Sequence, residues 1–234
     1  MNISFVIPCY NCADYINYNI YKLYKKLKKL NIRYEIILID DFSCDNTFFI
    51  LKNNKNYGKS FSIIKGIKAC KYDHVIFIDC DFPYFKSMYK IIERLKKNDM
   101  VIINRREKKS RLENKKIHLY IFMRIILGFI INYFIRIRFN INIKDTQAGL
   151  KGFKKPKNFS KIKFLSKRFF FDLELILIFL ALKKKVLSLN TPYFVNEKSS
   201  INFFDFRRNV EILIELMKIS LNYRSINEKT HNLM

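Results

Sequence analysis

The sequence predicts an α/β fold: a mostly parallel sheet flanked by helices, with C-terminal helices suited to a membrane interface. Three observations carry that expectation. Short apolar runs rich in β-branched residues alternate with amphipathic stretches of helical period over residues 1–104. Several of those runs end in acidic or polar clusters. Beyond residue 104 the chain turns apolar and strongly basic at once.

Taken in order, Ile3–Pro8 is a buried strand closed by proline. Ala13–Leu30 places Tyr15, Ile16, Ile20, Leu23, Tyr24 and Leu27 on one helical face, with lysines opposite. Tyr34–Asp40 is a second strand, and Asp45 is suited to cap a short helix over Asn46–Leu51. A helix over Lys59–Lys71 follows Asn56-Tyr57-Gly58. His74–Asp79 is a strand, Tyr84–Lys97 a helix and Met100–Asn104 a strand. Such alternation means parallel strands joined by crossover helices. Arg105–Lys116 is a basic, loop-like stretch, and Ile117–Ile137 reads as one bent helix or two. Asp145–Gly149 is a polar turn, Arg168–Leu182 an apolar helix or strand–helix segment, Tyr193–Ile201 a loop or strand, and Val210–Tyr223 an amphipathic helix.

At 234 residues and 28.3 kDa the chain is long enough for a large core. Its 45 Lys and Arg against 20 Asp and Glu give a net charge of +25, which calls for an anionic partner. Nucleic acid, an anionic membrane and phosphorylated substrates all qualify. The excess is uneven: 17 basic against 10 acidic residues in 1–104, and 28 against 10 in 105–234. The first half is therefore a nearly balanced unit and the second faces something negative. Five cysteines, Cys9, Cys12, Cys44, Cys70 and Cys80, form no metal-binding set and read as reduced, in keeping with a cytosolic location. Met1 leads straight into an apolar strand without a basic leader. Arg124 and Arg136 interrupt the most apolar stretch, leaving it short of the about 20 residues a bilayer needs. The expectation is a peripheral protein on the cytosolic membrane face.

Ligands of parallel sheets bind beyond the strand C-termini. There the sequence places Pro8-Cys9-Tyr10-Asn11, Asp40-Asp41 and Asp79-Cys80-Asp81. Two carboxylates flanking one residue, Asp79 and Asp81, suit a hard divalent cation, Mg²⁺ or Mn²⁺, that shares its shell with diphosphate oxygens. Asp41 can accept a hydrogen bond from a nucleobase N–H, and Tyr10 can stack on that base.

These motifs, with Val6-Ile7 before Pro8, Phe42-Ser43-Cys44-Asp45-Asn46-Thr47 after Asp41, and Asn56-x-Gly58-Lys59, occur in the order and spacing of the family-2 glycosyltransferases of GT-A (Rossmann-like) fold, which the chain resembles over residues 3–200. Asp145-Thr146-Gln147-Ala148-Gly149-Leu150-Lys151-Gly152-Phe153 and Phe171-Asp172-Leu173-Glu174-Leu175 are similar to the polyprenyl-phosphate branch, the dolichyl-phosphate glucose and mannose synthases. The resemblance implies that 1–104 is the nucleotide-sugar half and 105–234 the acceptor half of one domain. It implies that Pro8, Tyr10 and Asp41 hold the base, with Asp40 near base or ribose. Asp79 then lies near ribose and metal, Asp81 ligates the metal, and Cys80 sits between them in the nucleotide-sugar set. Arg105 and Arg124 fall where the lipid phosphate binds, and Lys198 near the donor diphosphate. Asp145 and Gln147 fall near sugar and acceptor, and Asp172 and Glu174 orient one or the other. Cys12, Ser60, Phe61 and Ala148 depart from common family residues, and little chain remains for the usual third strand.

The activity so implied is inverting transfer of glucose or mannose from a nucleotide-sugar, UDP-glucose or GDP-mannose, to a polyprenyl phosphate at an anionic membrane surface. A phosphate acceptor needs no general base. A sugar-hydroxyl acceptor does, with Asp145 or Asp172 as candidates. Transfer to a hydroxyl in cell-surface polysaccharide synthesis is thus the alternative enzyme reading. Nucleic-acid binding, suggested by the charge, fits poorly with aspartates at strand ends.

Overall fold

The apolar runs form strands buried on both faces, as parallel strands covered by helices must be. The computed structural model describes residues 1–47, 51–106, 119–192 and 206–223. Its strands are β1 (Asn2–Cys9), β2 (Arg33–Asp40), β3 (Leu51–Lys52), β4 (His74–Ile78), β5 (Met100–Asn104), β6 (Leu150–Lys154) and β7 (Val186–Asn190). Its helices are α1 (Ala13–Lys28), α2 (Lys59–Ala69), α3 (Met88–Leu95), α4 (Leu119–Phe139), α5 (Phe171–Ala181) and α6 (Phe206–Leu221). Among the described residues the strands form one seven-stranded sheet of order β3-β2-β1-β4-β6-β5-β7. All neighbours are parallel except β6, which runs antiparallel between β4 and β5. Strands from both halves of the chain therefore share one sheet.

One core layer lies under α2, α5 and the ends of α4 and α6, with Val6, Ile39, Phe77, Ile102 and Phe153 from the sheet. The other lies under α1 and α3, with Phe5, Ile7, Ile76, Ile78 and Val101. The alternation of Val6 and Ile7, and of Ile76 and Phe77, between the two layers is the strand period of two. Helix α5 is buried from Phe171 to Phe179 and apolar apart from Asp172 and Glu174 in its first turn, as a central helix with partnered charges can be.

Three expectations are corrected. Asn46 and Thr47 are not helical, and Leu51–Lys52 is strand; residues 48–50 lie outside the described set. Asp45 does not open a local helix. Its Oδ2 accepts the Ala13 amide at 3.0 Å at the start of α1, while Oδ1 accepts the Thr47 amide at 3.0 Å. The region expected as one helix over Tyr84–Lys97 is a short 3₁₀ turn, Phe85–Ser87, followed by α3. Ile117–Ile137 is represented by the single helix α4, and Ile117 and His118 lie outside the described residues. The sequence reading had no counterpart for β6 or β7.

Candidate active site

The order β2-β1-β4 brings the three chemical strand ends side by side. Register pairs Cys9 with Asp40 and Val6 with Phe77, so Tyr10, Asp41 and the Asp79–Asp81 stretch leave the same edge. Asn11, Phe42 and Phe82, just past β1, β2 and β4, have φ of 48°, 67° and 50°. Left-handed backbone is costly for a bulky residue, and it clusters at functional sites. Tyr10 is 41% exposed at this edge, open to stack on a ligand ring.

Asp40 and Asp41 are both buried. Asp40 accepts from the amide and hydroxyl of Ser43, which shapes its own turn. Asp41 Oδ1 accepts from Asn53 Nδ2 at 2.9 Å and the Tyr57 amide at 3.0 Å, and Oδ2 from the Gly58 amide at 2.8 Å. Asp41 thus ties the end of β2 to the Asn56-Tyr57-Gly58 loop. Gly58 has φ of 94°, and a Cβ there would stand 2.8 Å from the Arg168 side chain, so only glycine passes.

At the end of β4, Asp79 receives the Lys59 ammonium at 2.7 Å on Oδ1. Its amide donates to the Gly149 carbonyl at 2.8 Å, and Oδ2 occupies the space a Cβ at residue 149 would need, 1.8 Å away. Cys80 turns to α1: its carbonyl accepts from Asn19 Nδ2 at 2.7 Å, and its thiol lies 3.6 Å from the Tyr15 hydroxyl. It anchors the motif to α1 rather than facing the Lys59 side. Asp81 is half-buried beside a cleft of about 200 Å³, lined also by Asn19, Lys22, Phe82 and Lys86. Tyr10 and Asp41 do not line that cleft.

In the second half of the chain, Asp145 is fully buried and bound by Arg105 through Nε at 2.6 Å, Nη2 at 2.8 Å and the amide at 2.9 Å. Burial alone would raise its carboxyl, but the Arg105 charge and hydrogen bonds hold it at about 2. Gln147 donates its amide to Asp145 at 3.2 Å, and its Nε2 is buried without a protein partner among the described residues. Asp172, also buried, pairs with Lys151, whose ammonium further donates to the Ala148 carbonyl at 2.6 Å. Burial pulls the Lys151 ammonium below its ordinary value, against the opposing pull of Asp172. Glu174 accepts from the Leu165 and Ser166 amides, so it shapes the loop before α5. Glu215 of α6 holds the next stretch, accepting from Ser166 Oγ and the amides of Lys167, Arg168 and Phe169.

Several of these residues had no role at the sequence level. Lys59 stood inside a quoted motif, as did Lys151, but neither had a partner that sequence could name. Arg106 is another: its guanidinium lies 4.1 Å over the Phe129 ring, in a slot on α4 that Gly128 leaves open. The backbone of Arg124 lies in α4. Its side chain, and all of Lys198, fall outside the described residues.

Pro8, at the end of β1, is buried between the paired strands. Among the described residues no three His, Cys, Asp or Glu side chains form a metal-holding group. Asp79 and Asp81 offer two hard carboxylates, which suits an ion that takes its other ligands from phosphate and water.

A family model described as Glycosyl transferase family 2 matches residues 4–158. A dolichyl-phosphate beta-glucosyltransferase of Trichomonas vaginalis is 26% identical over 250 residues, covering 95% of this chain and 74% of that one. Further curated relatives match over 34–53% of this chain and under half of their own length. Among solved structures, mannosyl-3-phosphoglycerate synthase from Rubrobacter xylanophilus superposes with a TM-score of 0.60 at 14% identity, over 94% of this chain and 73% of that one. A mannosyltransferase from Pyrobaculum calidifontis, in complex with GDP-Man and Mn²⁺, gives 0.55 at 12% identity, over 92% and 63%. At such identities the structures speak for the fold, which is GT-A.

Proposed function

The chain belongs to glycosyl transferase family 2, and on that premise we propose that it moves a hexose from a nucleotide-sugar to a polyprenyl phosphate. One observation carries the choice of acceptor. Both carboxylates that could serve as a general base are buried and held by a cation, Asp145 by Arg105 and Asp172 by Lys151. A carboxyl held at about 2 is a poor proton acceptor near neutral pH. The chain therefore suits an acceptor that arrives already anionic. A phosphate oxygen then bonds to the anomeric carbon from the face opposite the leaving group. The bond from that carbon to the diphosphate breaks, and nucleoside diphosphate departs with inversion.

In this reading Tyr10 stacks on the base, beside Pro8, while Asp41 fixes the neighbouring Asn56-Tyr57-Gly58 loop. UDP-glucose and GDP-mannose are the donors we assign, and the relative named for glucose favours the first. Asp79 and Asp81 would hold a Mg²⁺ or Mn²⁺ ion, which offsets the charge developing on the departing diphosphate. Lys198, which lies outside the described residues, is the cation the family resemblance assigns to that diphosphate. Arg105 and Arg106, just past β5, are the described cations we assign to the lipid phosphate, with Arg124, whose side chain lies outside the described residues, as a further candidate. Binding two anionic substrates by side-chain cations positions them for in-line attack.

The acceptor's membrane has a matching surface. Helix α4 exposes Phe122, Ile126, Ile130, Tyr133, Phe134 and Ile137. Helix α6 exposes Leu213, Met217 and Leu221. Arg138 Nη2 bonds the Ser220 carbonyl at 2.6 Å and Phe139 meets Tyr223 edge-on, so the two helices are joined. No helix among the described residues is long and apolar enough to cross a membrane. Such a face on so basic a chain fits an anionic bilayer surface, which we take to be the cytosolic one. Native protein is expected to sediment with anionic vesicles at low salt and to be released as salt rises. Ile130→Asp with Ile137→Asp, one stripe of α4, should weaken that binding about tenfold or more. Native protein that stays in the supernatant at low salt would overturn the assignment.

The direct test of function is a donor panel with Mg²⁺ or Mn²⁺, offered polyprenyl phosphate or oligosaccharide acceptors. Labelled sugar should appear on the lipid phosphate. Transfer to the oligosaccharide alone would replace this reading with the hydroxyl one.

A further inference from the structure

Lys59 is the first residue of α2, where the helix dipole is positive and no acidic residue of the first turn offsets it. A cation is poorly placed there unless something else holds it. What holds it is Asp79, 2.7 Å from the ammonium. The two partners differ in freedom. Asp79 is pinned, its Oδ2 against Gly149 and its amide on the Gly149 carbonyl. Lys59 sits on a four-carbon stem and is 38% exposed, so it can move away while the carboxylate stays.

The same carboxylate is one of the two we assign to the divalent ion, and this inference rests on that assignment. Ion and ammonium compete for one oxygen. Two carboxylates, with no third protein ligand among the described residues, hold Mg²⁺ or Mn²⁺ weakly until phosphate oxygens complete the shell. A diphosphate brings those oxygens and also gives Lys59 another anion to pair with. We propose that Lys59 is the resident counter-ion of Asp79, which keeps the divalent ion out of the empty site and yields when the donor diphosphate arrives. Metal and donor then enter as one unit, and the free enzyme carries little metal.

The test is Mn²⁺ binding, read by the electron paramagnetic resonance signal of unbound ion, with and without UDP or GDP and corrected for Mn²⁺ held by nucleotide alone. Native protein should bind Mn²⁺ weakly by itself and much more tightly with the nucleoside diphosphate. Lys59→Met should bind Mn²⁺ without nucleotide about tenfold more tightly than native, and gain less from nucleotide. Lys59→Arg, which keeps the charge, should behave as native. Circular dichroism establishes that each variant is folded. Equal or weaker binding by folded Lys59→Met refutes the counter-ion role and leaves the metal site standing, provided nucleotide still promotes binding to native protein. The native measurement is decisive even without the variant: equal affinity with and without nucleotide refutes the proposal. Binding to no protein under either condition removes the metal site itself, and the counter-ion with it.

Discussion

Asp81→Ala should lose sugar transfer to polyprenyl phosphate by about 10²–10³-fold, the scale of removing one electrostatic support from a developing anion. Its melting temperature should stay close to native. Asp81 is half-buried at the rim of a cleft, past the end of β4, and no core layer includes it. A large kinetic loss in an intact fold is the signature expected of a metal ligand. Initial rates under saturating donor, paired with thermal unfolding, measure both. A variant that transfers as fast as native would refute the metal assignment, because no other described carboxylate stands next to Asp79 on that strand end.

Lys151→Ala should be the most damaging single change to stability. The side chain is fully buried, in the centre of the sheet, where Lys151 is in register with Phe77 of β4 and Ile102 of β5. Removing it strands the buried Asp172 carboxylate, at a cost of about 3–5 kcal/mol. For a chain of this size that is about 10 °C in melting temperature. The loss should be recoverable. Lys151→Met combined with Asp172→Leu removes both charges and keeps volume, so it should regain most of the stability. Urea unfolding of Lys151→Met, Asp172→Leu and the double variant supplies the cycle. If the double variant loses the sum of the single losses, the pair is not coupled and packing alone explains the site. Activity adds a second reading, since Lys151 also holds the Ala148 carbonyl in the turn that carries Gln147 and Gly149.

How much of this was legible in the sequence follows from the range of each interaction. Strands β1, β2, β4 and β5 announce themselves through local runs such as Val75-Ile76-Phe77-Ile78, and their ends locate the aspartates. Strand β6 hides because Leu150-Lys151-Gly152-Phe153-Lys154 looks polar and broken by glycine. Yet Lys151 is buried, and Gly152 is there because a Cβ would press on Ile91. Strand β7 is a short, half-exposed edge strand. The helix expected after Asp45 failed because one carboxylate oxygen reaches back 32 residues to the Ala13 amide while the other closes only a local turn on Thr47. Asp145 and Asp172 were legible as acidic residues of the site. Their neutralisation was not, because Arg105 is 40 residues from Asp145 and Lys151 is 21 from Asp172. Lys59 on Asp79 and Glu215 on the loop before α5 were invisible for the same reason.

The Glu215 contact has a further consequence. Successive free amides ahead of a helix are a ready main-chain seat for a phosphoryl group. Here the seat before α5 is already plugged by the protein's own carboxylate, and at the start of α2 the Gly58 amide is spent on Asp41. In the proposed reaction, recognition of both phosphorylated substrates leans on cationic side-chain arms such as the partly exposed Lys59. Such arms are screened by dissolved ions, so this enzyme inherits a dependence on ionic strength that a backbone cradle would have spared it.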